Sequence, residues 1–155
     1  MKKIFYSFIC LCISVCIASK ADGQALSKHE ARQLIEKTMT CLKNSDTLSF
    51  IKQWQLDNAA WPYHNRPFDS VELKGHFAEL RKFLDTAITR NLKIEAIEIF
   101  RQDNGNKKNY WAKYKIRGWF YYDKSYRKGI AFNVDYINGN WLYRFEPDYS
   151  TQTMK

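Results

Sequence analysis

The sequence predicts an α+β domain in which N-terminal helices pack on a four-stranded antiparallel meander sheet. Three observations predict it. Apolar residues recur every three or four positions from Ala31 to Ile88, then at every second position from Leu92 onward, and Asn138-Gly139 sits between two alternating runs. The first spacing is that of a helix face, the second that of a half-buried strand, and Asn-Gly favours the tight turn that joins antiparallel strands. The 155 residues are 45% apolar and 16% aromatic with only six Gly and three Pro, which excludes disordered, collagen-like and linker-rich architectures. No segment repeats, so solenoids and propellers are excluded as well.

The first element is a leader. Met1-Lys2-Lys3 is basic, Ile4 to Ala18 is an uncharged run of 15 residues, and small residues follow around Gly23 and Ala25. This is the three-part layout of a secretory signal peptide, and the run is shorter than the ~20 apolar residues that cross a bilayer. The expected domains are therefore a signal peptide over 1–23, cut near 23–25, and one domain over 24–155. The expected localisation is export, to the periplasm or the medium. Val15 before Cys16 argues against a lipid anchor, because a lipidated Cys normally follows a small residue. Cleavage removes Cys10, Cys12 and Cys16 and leaves Cys41 alone, so no internal disulfide can form. It also removes three lysines and Asp22, leaving 22 basic and 15 acidic residues, a net charge of +7.

Ser27-Lys28-His29-Glu30 reads as a capping box, with Leu26 and Ala31 as its staple. Ala31, Leu34, Ile35, Thr38 and Leu42 then share one stripe, predicting a first helix over about 28–42. Asp46 opens a shorter helix whose buried face is Leu48, Ile51 and Trp54. Asp69 or Ser70 caps a third, whose stripe runs from Leu73 and Phe77 through Leu80, Leu84, Ala87 and Ile88 to a left-handed stop at Asn91. The strands are expected at about 93–101, 109–122, 126–137 and 140–145. In the second, even positions are apolar or aromatic and odd ones largely basic, so one face is buried and the other wet.

The order of elements, the long-helix pattern Gly75-His76-Phe77-x-x-Leu80-x-x-Phe83 and the closing Tyr136-Ile137-Asn138-Gly139-Asn140-Trp141-Leu142-Tyr143 resemble the nuclear transport factor 2-like (cystatin-like cone) superfamily. The resemblance covers nearly the whole mature chain as a pattern of elements, with no diagnostic catalytic motif. It implies a sheet curved around the long helix, cone-like, with a hydrophobic pocket inside. Members include ketosteroid isomerases, dehydratases and exported binding modules, so the fold leaves activity open. The chain departs from the pattern between helices two and three, where Pro62 and Pro67 oppose regular strand pairing.

Chemistry motifs are scarce. His29, His64 and His76 have no partners at metal-ligand spacing, and there is no nucleophile elbow, phosphate loop or dinucleotide fingerprint, so no metal or cofactor is expected and no catalytic residue is assigned. Cys41 reads as a small buried apolar residue. Two surfaces remain. Tyr110, Tyr114, Tyr122 and Tyr136 fall on the inward face and, with Trp61 and His64 of the 61–68 loop as a lid, could line a pocket for a small amphipathic ligand; Arg66 would add a polar contact. The other reading of these tyrosines is a closed core with hydroxyls at its rim. Trp111, Lys113, Lys115, Arg117, Trp119 and Tyr121 form the outward stripe, which suits anionic lipid headgroups, acidic glycans or an acidic protein, or else is a solvated face that discourages aggregation. Export disfavours nucleic acid. The expected function is thus an exported, non-enzymatic binding module for a small amphipathic ligand or an acidic macromolecular partner. The alternatives are a cone-fold isomerase, dehydratase or hydrolase using Asp57 or His64 in the Tyr-lined pocket, and a homodimer through the sheet face.

Overall fold

The computed structural model describes residues 24–54, 56, 69–102, 112–144 and 147–154. Residues 1–23, the expected leader, and Asp57, Trp61, His64, Arg66, Tyr110 and Trp111 lie outside the described residues. Among the described residues, four helices precede a five-stranded antiparallel sheet, an α+β arrangement with the helices on one face.

Helix α1 (Lys28–Asn44) begins at the expected capping box. The Ser27 hydroxyl accepts from the Glu30 N–H at 3.2 Å, and the Ser27 N–H donates to the Glu30 carboxylate at 2.9 Å. Ser45 closes the helix in the left-handed conformation. Helix α2 (Thr47–Ile51) has only five residues, and its buried face differs from the expected one at Leu48, while Ile51 packs against the core as expected. Leu48 is 72% exposed, while Phe50 is buried edge-on against Phe77 with centroids 5.2 Å apart. A helix this short has no face to speak of, so the largest ring decides which side turns inward. Trp54 is buried as expected, but beyond the helix, in a parallel bridge to Tyr143.

The expected third helix is two: α3 (Ser70–Phe83) and α4 (Asp85–Thr89), interrupted at Leu84. The buried stripe of Leu73, Phe77, Leu80, Leu84 and Ala87 continues across the break. The break frees the Phe83 carbonyl, and the Lys128 ammonium donates to it at 2.9 Å, placing a cation at the negative end of α3. Asn91 is left-handed, as expected.

Strands β1 (Ala96–Arg101), β2 (Tyr114–Tyr121), β3 (Tyr126–Ile137) and β4 (Asn140–Tyr143) follow the expected meander, and Asn138 and Gly139 both take positive φ in the β3–β4 turn. Strand β1 starts three residues later than expected, after Ile94, whose carbonyl accepts from Arg32. A fifth strand, β5 (Asp148–Thr153), was not foreseen. It pairs with the first half of β3 while β4 pairs with the last four residues, so the two lie end to end along one edge of β3.

Candidate functional site

Between sheet and helices, the described interior is filled by Ile35, Leu42, Phe50, Leu80, Phe120 and Phe132, all fully buried. The inward tyrosines among the described residues do not converge on one pocket. Tyr114 and Tyr136 flank Trp141 at one end of the sheet, with centroids 5.7 and 5.1 Å from its ring, and the Trp141 indole N–H donates to Glu30. Tyr122 stacks on Tyr126 at 5.1 Å beside Lys128, at the other end. Eight residues of strand separate Tyr114 from Tyr122, about 26 Å. Burial pushes the Tyr122 phenol above its ordinary range, and bonds from Ser27, then Trp141 and Gln24, hold the Glu30 carboxyl below its own.

A second polar group sits deeper. The Tyr143 hydroxyl donates to the Leu34 carbonyl at 2.9 Å and lies 2.8 Å from the Thr38 hydroxyl, which meets the Gln53 side-chain oxygen at 3.0 Å. The Gln53 amide reaches the Cys41 sulfur at 3.4 Å. Cys41 is buried, and desolvation followed by the nearby Asp46 raises its pKa, the opposite of what a nucleophile needs. This network ties β4 to α1 and to the segment that follows α2, and is structural.

The outward face is where exposed chemistry gathers. Lys115, Arg117, Trp119 and Tyr121 project from β2 toward the side opposite the helices, as the alternation requires. Lys113 does not join them. It precedes the strand at a bend, where the pleat no longer fixes side-chain direction; its ammonium lies 5.9 Å from the Tyr114 ring centre and reaches the Gln24 carbonyl at 3.4 Å. Lys115 pairs with Asp148 of β5, and Arg117 meets Glu98 of β1 at 3.5 Å. Further along, Asp135 and Arg144 form a buried ion pair, and Asp135 also accepts the Lys113 backbone N–H.

Trp119 is on the expected face but only 4% exposed. Its indole lies flat on Gly129, the residue opposite it on β3, and the Arg127 guanidinium covers it with the carbon 4.0 Å from the ring centre. Arg117 approaches the same ring at 5.4 Å. Arg127 is held in one orientation: Nε and Nη2 both donate to the Gln152 oxygen, at 2.8 and 2.6 Å, and Nη1 donates to the Tyr121 hydroxyl at 3.0 Å. All three neighbours are neutral. Among the described residues the Trp119 Nε1 and Arg117 Nε hydrogens are buried without an acceptor.

Arg127, Gly129 and Gln152 are the site residues that sequence reasoning missed. The hairpin register carried a signal for the first two: with a turn over 122–125, Gly129 falls opposite Trp119 and Arg127 opposite Tyr121. Among the described residues no cluster of His, Cys, Asp and Glu could hold a metal, and no helix is long and apolar enough to cross a membrane. Comparison with known proteins returns no matching family model, no matching curated protein and no matching solved structure.

Proposed function

We propose that the protein is an exported, non-enzymatic binding domain that engages an acidic macromolecular partner through the outer face of its sheet. Arg127 carries this reading. It is a half-buried guanidinium, pinned by Gln152, Tyr121 and Trp119, with no carboxylate against it among the described residues. A charge held that way keeps much of its field for an incoming anion, and its orientation is fixed in advance. Lys115 and Arg117 extend the cationic surface, each shared with one carboxylate at the rim. The separation of the inward tyrosines supports the outer face over an interior ligand. The order of helices before sheet supports the nuclear transport factor 2-like reading.

Binding of the purified protein to an immobilised polyanion is expected to weaken steeply between low and physiological salt, as exposed charges are screened over about 8–10 Å. The Lys115→Glu/Arg117→Glu/Arg127→Glu variant is expected to lose at least about tenfold in affinity, ~1.4 kcal/mol. Salt-insensitive binding, or the same affinity in the variant, would remove the basis of the reading.

Export has its own test. The Gln24 carbonyl accepts from Lys113, and its side chain donates to Glu30 at 3.1 Å. A cut after Gly23 keeps both contacts, whereas a cut after Ala25 discards them, so mass spectrometry of the exported protein should find Gln24 first. A mature chain starting at Leu26, or one retaining residues 1–23, contradicts this.

A further inference from the structure

The outer patch holds donors that its own acceptors leave unmatched. A guanidinium offers five N–H groups, and the Gln152 and Tyr121 bonds of Arg127 use three, leaving two uncommitted. Trp119 Nε1 and Arg117 Nε add two more without acceptors among the described residues, and a buried donor left unmatched is costly. Arg117 meets Glu98 at 3.5 Å and lies over the same indole, 5.4 Å from its centre. A ligand that meets these two buried donors requires the side chains over them to move. A ligand that fits must therefore bring one charged acceptor for Arg127 and neutral acceptors within a few ångströms of it.

Resting on the reading that this face binds an acidic partner, we infer that the partner is an acidic polysaccharide, one of whose carboxylate, sulfate or phosphate groups docks on Arg127 while neighbouring hydroxyl or ring oxygens accept from Trp119 and Arg117. A sugar acid is the chemistry that sets charged and neutral oxygens side by side. The two other acidic classes fit less well. A protein interface builds its core from exposed aromatic anchors, and the aromatic at the centre of this patch is 4% exposed beneath a guanidinium. A lipid surface needs apolar side chains beside the cations to insert, and Phe100, 43% exposed, is the only large exposed one among the described outward residues of the sheet.

The test follows the Arg127 Nε–H signal by NMR at constant ionic strength, with acetate, methyl sulfate and methyl phosphate as separate probes, and then with a polyuronate and a sulfated polysaccharide. A saturable shift with at least one small oxyanion is expected, and the arms identify which group is preferred. Arg127→Lys keeps the charge but loses the fork and should bind the preferred polysaccharide about tenfold more weakly; Gln152→Leu, which keeps the guanidinium but frees it, should fall between. The inference is overturned if Arg127→Lys and Gln152→Leu both bind like the parent. It is also overturned if no probe gives a saturable shift, or if polyglutamate or anionic vesicles bind as tightly as the polysaccharide. Any of these with salt-sensitive binding intact leaves the broader reading standing. If no polyanion binds at all, both fall.

Discussion

Tyr143→Phe is expected to destabilise the protein by about 1–3 kcal/mol, the range for deleting one partner of a buried hydrogen bond. The ring itself would stay: it is fully buried, stacked on Phe132 with centroids 4.2 Å apart, and Phe fills the same volume. What disappears is the hydroxyl that joins Leu34 and Thr38 of α1 to β4. Chemical denaturation reads the loss directly. The alkaline limb gives a second readout. Burial holds the Tyr143 phenol well above its ordinary range, so the folded state keeps this proton after the unfolded chain has released it. Its contribution is fully present below about pH 10 and is lost as pH rises through the folded value, at up to about 1.4 kcal/mol per pH unit. Tyr122 acts with the same sign. The parent should therefore lose stability above pH ~10 more steeply than Tyr143→Phe. Equal slopes would mean that water reaches the hydroxyl.

The elements that were legible in the sequence are those whose signal is local. Ser27 and Glu30 cap α1 because three residues of helix bring them together, and Asn138-Gly139 turns because both residues tolerate positive φ. The side of the sheet on which Lys115, Arg117 and Tyr114 stand follows from the pleat alone. Strand β5 carried no such signal. Asp148-Tyr149-Ser150-Thr151-Gln152-Thr153 has little apolar alternation and is largely exposed; it is a strand because β3 offers an unpaired edge beyond the reach of four-residue β4. The Leu84 break was hidden for a related reason, since the apolar stripe runs on through it and the compensating cation, Lys128, comes from a strand 45 residues away. The candidate site shows the same limit. Alternation places Trp119 on the outer face, but whether it is bare or covered depends on Gly129 and Arg127 of the next strand.

Gly129→Val puts that dependence to work. A Cβ at this position would lie 2.8 Å from both Cε3 and Cζ3 of Trp119, closer than carbon atoms pack, so the indole must shift from its place on the strand. Replacing Gly by Val within a strand should by itself stabilise by up to about 1 kcal/mol, through backbone entropy and β propensity. Forcing a packed ring out is expected to cost about 1–3 kcal/mol, so the net result is a loss, accompanied by a red-shifted tryptophan emission as Trp119 meets water. The variant keeps every charge on the face. If cations alone capture the partner, polyanion affinity should survive the substitution. If the stacked geometry matters, Arg127 loses the ring that aligns it and affinity should fall about tenfold, ~1.4 kcal/mol, with the salt dependence unchanged because the number of charges is unchanged. Undiminished affinity with Trp119 demonstrably displaced would refute the stacked site and leave a diffuse basic surface in its place.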